Sequence, residues 1–126
     1  MSFLERLVER SSLTSRQLES LSSYVRVASG EIGLREAASL ASHGRRKGRA
    51  DTPVSVGSYY RTVAQARTNV KQSLVTVVVA LRLGVIKAED VRRFFELVSG
   101  GARELSEEEA NRFLQLLEAL LRRMIV

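Results

Sequence analysis

The chain has 126 residues, of which 44% are hydrophobic and 27% are charged. This length supports one modest hydrophobic core, and the composition is that of a folded chain rather than a disordered one. The absence of cysteine excludes disulfides and thiolate metal sites. The N-terminal residues lack the apolar core of a signal peptide, and no apolar run is long enough to span a bilayer, so we expect a cytoplasmic protein.

The net charge of +6 is concentrated in one quarter of the chain. Residues 43–73 contain seven basic residues and one acidic residue, a difference of six, whereas the two kinds balance in residues 1–42 and 74–126. A cluster of basic residues is often only a solvated surface. Its confinement to one segment favours a surface that faces phosphates.

Three helices are predicted in the first third of the chain. Periodic apolar residues indicate a helix over 3–10. Thr14 and Gln17 have the spacing of a capping box that begins the second helix, and Gly30 is a suitable left-handed stop for it. An alanine-rich third helix is predicted over 34–42. The residues of the second helix that we expect to face the core are Leu18, Leu21, Tyr24, Val25 and Ala28.

The longest predicted element follows a basic loop at 43–52, which reads HGRRKGRADT and has no apolar periodicity. Pro53 and Ser55 are residue types that stop one element and cap the next helix. That helix has an apolar face formed by Val63, Ala66, Val70, Leu74, Val77 and Leu81. The opposite face is polar and contains no carboxylate, which indicates an anionic partner. Its residues are Ser58, Arg61, Thr62, Gln65, Thr68, Asn69 and Gln72.

The second half of this element has two interpretations. The β-branched run at 75–79 is compatible with a short strand. The apolar periodicity continues through it to Leu81, however, and favours one continuous helix that ends at Gly84. Two further helices are predicted, over 87–99 and after a second capping box at 106–109, whose acidic residues suit the helix dipole.

Three motifs occur in order along the first half of the chain, namely LTSRQ from residue 13, LREAA from residue 34 and VSVGSY from residue 54. A Gln-Ala-Arg step at 65–67 follows them. Together they resemble the helix-turn-helix of bacterial sigma factor region four and related transcriptional regulators. The resemblance covers 13–74 only, and nothing resembling the other regions of a sigma factor is present.

The resemblance implies an all-α protein with a helix-turn-helix core, in which the helix at 33–42 supports the helix at 56–74 in the DNA major groove. The groove contacts that it implies are Ser55, Ser58, Tyr59, Arg61, Thr62 and Gln65. Family members have a turn of a few residues between these two helices, whereas about a dozen residues separate them here. Such an insertion is tolerable, because the entropy of loop closure grows slowly with length.

The residue types refine this set of candidate DNA contacts. Arg61 and Gln65 lie one turn apart and suit bidentate contacts with guanine and adenine edges. Basic residues of the loop are expected to meet phosphates. Tyr59 and Tyr60 could stack on bases, although Tyr59 also projects toward the apolar face of the helix and is expected to pack in the core. The further candidates are Arg45, Arg46, Lys47, Arg49, Arg67, Asn69 and Lys71.

Other chemistry has little support in the sequence. His43 is the only histidine, and no Ser/His/Asp set or glycine-rich phosphate loop can be assembled. We therefore expect no enzymatic activity, no metal site and no cofactor. The alternative to a DNA-binding regulator is a helical interaction module that binds RNA or an acidic protein.

The C-terminal part has more apolar surface than a three-helix unit needs. Residues 1–86 are interpreted as the nucleic-acid-binding region, and 87–126 as a helical pair that packs back on it or forms a two-fold homodimer within one compact domain. The expected dimer interface is Val78, Leu81, Phe94, Phe95, Phe113, Leu117, Leu120 and Leu121.

Overall fold

The computed structural model describes residues 2–41, 55–99 and 105–126. In these ranges the protein is all-α, as predicted, with six helices and no strand. The helices are α1 (Phe3–Glu9), α2 (Ser15–Ala28), α3 (Leu34–Ala41), α4 (Val56–Leu83), α5 (Ala88–Val98) and α6 (Glu107–Met124). No helix in the described part of the chain is long and apolar enough to cross a membrane.

The predicted helix ends are confirmed where local chemistry specifies them. The Thr14 hydroxyl accepts from the Gln17 N–H, and the Gln17 side chain accepts from the Thr14 N–H. Ser106 and Glu109 form the same reciprocal box at the start of α6. Gly30 and Gly84 have φ angles of +79° and +77°, the left-handed conformation expected of helix stops.

Helix α4 begins at a serine cap and continues unbroken for 28 residues. The Ser55 hydroxyl accepts from the Ser58 N–H at 3.1 Å, and the Ser55 carbonyl accepts from the Tyr59 N–H at 2.9 Å. The alternative of a strand at 75–79 is wrong, since these residues lie inside the helix. Helical periodicity therefore outweighs the β propensity of a valine run.

The chain divides into two compact units, Leu4–Gln72 and Met1–Phe3 with Ser73–Val126. Helix α4 contributes residues to both. The functional division predicted at residue 86 stays a prediction.

In the unit Leu4–Gln72, the core lies between α3 and α4. Ala37 and Ala38 of α3 pack with Tyr59 and Val63 of α4, and all four are at most 2% exposed. Partly buried apolar residues surround them, namely Tyr24, Val27, Ile32, Leu34 and Val56. The small alanine side chains leave room for the Tyr59 ring, which fixes the first half of α4 on α3.

The buried face of α2 differs from the predicted one. Val25 is 64% exposed and Ala28 is exposed, whereas Ser20 and Ser23 are buried. The contacts at this face are polar, because the Ser23 hydroxyl and the Ser20 backbone carbonyl are the hydrogen-bond partners of the Tyr59 hydroxyl. The Ser20 hydroxyl is buried without a hydrogen-bond partner among the described residues. The apolar pattern alone does not predict this orientation.

In the second unit, α6 supplies most of the core. Its buried residues are Ala110, Leu114, Leu117 and Met124, which are joined by Ile86. The ring of Phe3 packs edge-on against that of Phe113, with centroids 5.4 Å apart. The Val126 N–H donates to the Val85 carbonyl at 3.0 Å, which ties the C-terminal residue to the segment after α4.

Candidate nucleic-acid interface

The first half of α4 exposes a polar face opposite the Tyr59–Val63 core. Residues three and four positions apart line a shallow depression of about 460 Å³ on it. The lining residues are Arg61, Ala64, Gln65, Thr68, Asn69 and Gln72. Arginine, amide and hydroxyl side chains thus share one surface of one rigid helix.

The charge on this helix is not internally compensated. No acidic residue occurs between Val56 and Leu83, and no carboxylate among the described residues pairs with Arg61, Arg67 or Lys71. All three side chains are exposed. Within α4 these cations therefore have no acidic neighbour.

Three exposed arginines of α5 and α6 provide a comparison, although Arg122 and Arg123 at the end of α6 have no carboxylate partner among the described residues. On α5, Arg92 pairs with Glu96 at 2.7 Å and Arg93 with Glu89 at 2.9 Å. On α6, Arg112 pairs with Glu108 at 3.1 Å. All three pairs have the i,i+4 spacing that neutralises a solvated helix surface. Helix α4 lacks this pattern.

Tyr59 is not on the exposed face, which corrects its inclusion among the DNA contacts. Its side chain is 0% exposed. The hydroxyl lies 2.6 Å from the Ser23 hydroxyl and donates to the Ser20 carbonyl at 3.0 Å. The expectation that Tyr59 packs in the core is confirmed, and the residue holds α4 against α2.

This environment keeps the Tyr59 hydroxyl neutral. Burial raises the pKa of Tyr59 above its ordinary value of 10.0, the Ser23 hydrogen bond partly offsets the rise, and the nearby Tyr24 adds to it. A neutral hydroxyl can donate its one proton to the Ser20 carbonyl while its oxygen accepts from the Ser23 hydroxyl. The network would lose its donor on ionisation.

Asn69 forms a second attachment of α4. Its amide nitrogen donates to the Ser12 carbonyl at 2.7 Å and to the Gln17 side-chain oxygen at 3.1 Å. The same Gln17 oxygen accepts from the Thr14 N–H, which fixes the orientation of both amides. Asn69 therefore connects the candidate interface to the cap of α2, a role that its place in the sequence did not predict.

The remaining candidates of the face have different environments. Tyr60 is 49% exposed and available for stacking. The Ser55 hydroxyl caps α4, Ser58 is half-buried, and the Thr62 hydroxyl donates to the Ser58 carbonyl at 3.2 Å. Gln65 is exposed, beside Arg61 on the same surface. Arg45, Arg46, Lys47 and Arg49 lie outside the described residues.

The residues expected in a dimer interface differ in how far their side chains are exposed. Val78 and Phe95 are 56% and 49% exposed. Leu117 is only 9% exposed and belongs to the core of its own unit, so it is not available to a partner. The others are half-buried, namely Leu81, Phe94, Phe113, Leu120 and Leu121.

The comparisons with known proteins identify no relative. No family model, curated protein or solved structure matches this chain. Within the described ranges, no group of three or more His, Cys, Asp and Glu side chains is placed to hold a metal ion. The helix-turn-helix resemblance stays an interpretation of the sequence.

Proposed function

We propose that this protein is a sequence-specific regulator that binds double-stranded DNA through the exposed face of α4 between Ser58 and Gln72. The observation that carries the proposal is the uncompensated charge of that face. Its cations have no carboxylate partner among the described residues and α4 contains no acidic residue, whereas Arg92, Arg93 and Arg112 of α5 and α6 are paired within their own helices. Phosphate is the anion that a basic helix surface meets on a duplex.

The side chains on this face suit base recognition as well as charge. Arg61 can donate two parallel hydrogen bonds to the O6 and N7 atoms of guanine, and Gln65 can both accept and donate at adenine. Arg67 and Lys71 lie around the helix from these two residues and are assigned to phosphates, which position the helix without reading sequence.

Rigidity of the helix supports the same proposal. Tyr59 attaches α4 to α2 through Ser20 and Ser23, and Asn69 attaches it to the cap of α2. Base readout requires side chains held in a fixed register. Two attachments about three turns apart on one helix provide such a register.

The proposal is tested by selecting duplexes from a random library and measuring their binding by fluorescence anisotropy. Arg61→Ala and Gln65→Ala are each expected to weaken the selected site by about tenfold to a hundredfold, the cost of one bidentate contact. They should affect random duplex much less. Arg112→Ala on α6 is the matched control and should leave both affinities unchanged.

Substitutions in the basic loop at 43–52 are expected to change DNA affinity in a different way. Changing Arg45, Arg46 and Lys47 to glutamine should weaken selected and random duplexes alike, because contacts to phosphates carry no sequence information. If single-stranded RNA or polyglutamate competes better than duplex DNA, the alternative of an RNA-binding or acidic-protein-binding module replaces the proposal.

A further inference from the structure

Between Leu74 and Leu81, every residue of α4 except Thr76 is apolar. Val77, Ala80 and Leu81 are half-buried. Around the helix from them, Leu74, Val75, Val78 and Val79 are 57%, 53%, 56% and 50% exposed. We call these four residues the apolar stripe.

A helix segment that is apolar over most of its circumference is normally buried. Here the described residues leave the stripe uncovered, and Leu83, 73% exposed, lies beside it. These side chains present on the order of 500 Å² of apolar surface, within the range of the largest patches on soluble monomers, which are often functional. The stripe is therefore a candidate contact surface.

The order of residues along the stripe is symmetric about its midpoint. In either direction along the helix, the stripe and its flanking residues give a cation, a pair of apolar residues, a second pair of apolar residues and a cation. The intervals between these residues are the same in both directions. The residues are Lys71, Leu74, Val75, Val78, Val79 and Arg82. An antiparallel copy of this helix would therefore match apolar residues with apolar residues along its whole length.

We infer that the stripe contacts the same stripe of a second copy of this chain, in an antiparallel two-fold pairing. Leu74 would pack on Val79 of the second copy, and Val75 on Val78 of the second copy. Isologous contacts of this kind place one patch against itself. Valine suits them because its side chain has little rotamer freedom to lose.

The size of the contact predicts a modest affinity. Covering the stripe and Leu83 on both copies removes about 1,000 Å² of accessible surface, near the lower limit for a specific interface. The same pairing brings Lys71 close to Arg82 of the second copy at each end. Because these like charges repel, self-association should strengthen as salt is added.

The first test is sedimentation equilibrium of the full chain without nucleic acid. The wild type should associate reversibly to a dimer with a dissociation constant of about 1–100 μM. Val78→Gln should raise that constant at least tenfold. The matched control is Val25→Gln on α2, a valine that is 64% exposed outside the stripe and should have no effect.

The second test is a gain of affinity, which a folding defect cannot mimic. Arg82→Glu should replace two repulsive contacts with attractive ones and lower the dissociation constant about tenfold, whereas Arg122→Glu on α6 should not. The double variant Lys71→Glu with Arg82→Glu should lose that gain, because like charges again meet. A wild type that stays monomeric, or an Arg82→Glu variant that equals Arg122→Glu, overturns the inference.

The self-association is independent of the proposed DNA binding. It is measured without nucleic acid and uses variants outside the Ser58–Gln72 face, apart from Lys71 in the double variant. A monomer that binds DNA would contradict only the pairing, and a dimer that binds no DNA would contradict only the proposed function.

Discussion

Tyr59 is the residue on which the position of α4 most depends. Its hydroxyl connects two serines of α2 that lie 36 and 39 residues earlier in the chain. Tyr59→Phe keeps the ring and removes only the hydroxyl. We expect the free energy of unfolding to fall by about 1–2 kcal/mol, the usual cost of losing a buried hydrogen bond. Urea denaturation measures the change. Tyr60→Phe, at a 49% exposed neighbour, should be nearly neutral.

The raised pKa of Tyr59 predicts how stability depends on pH. In the unfolded chain this hydroxyl ionises near 10.0, whereas in the folded chain it stays protonated to higher pH. The folded state therefore binds more protons above pH 10.0, and its stability must fall as pH rises through and beyond that value. Urea midpoints measured from pH 8 to 11 should decline more steeply for the wild type than for Tyr59→Phe. Parallel curves would contradict this assignment.

At the scale of single helices, the sequence predicted features that depend on neighbouring residues. The Thr14 and Ser106 capping boxes, the left-handed stop at Gly30, the end of α4 at Gly84 and the continuity of α4 were all predicted. Each involves atoms within a few residues of one another. Their partners can be read directly from the sequence.

The features that the sequence did not predict depend on distant partners. Ser20 and Ser23 read as exposed polar residues, yet they are buried where the Tyr59 hydroxyl meets the Ser23 hydroxyl and the Ser20 carbonyl. Asn69 reads as one more polar residue of the groove face, yet its amide reaches the Ser12 carbonyl across 57 residues of sequence. Periodicity records hydrophobicity, and it carries no information about which buried polar groups will meet.

A substitution of Asn69 tests whether its contacts with distant residues stabilise the attachment of α4. Asn69→Asp replaces an amide donor with a carboxylate that faces two oxygen acceptors. We expect it to lower the free energy of unfolding by about 1–3 kcal/mol, because the Ser12 carbonyl and the Gln17 oxygen lose a donor and meet a negative charge. Gln115→Glu, an exposed substitution of the same charge on α6, should cost little. Equal losses in the two variants would remove the structural role assigned to Asn69.

For the whole molecule, the two proposals together predict the form of the target site. One copy presents one polar face of α4, and a two-fold pair presents two. A dimer should therefore select pseudo-palindromic duplexes. Val78→Gln should still recognise a single half-site, but it should lose the added affinity of the complete site.

The most direct test of the central claim is the salt dependence of duplex binding by the full chain. Anisotropy titrations from 50 to 300 mM KCl should give a slope of log K against log salt of about −4 to −5, as expected when about four to six phosphates are neutralised. Arg67→Gln should make the slope less steep by about one phosphate. A slope near zero would contradict the proposal that the acid-free face of α4 binds DNA.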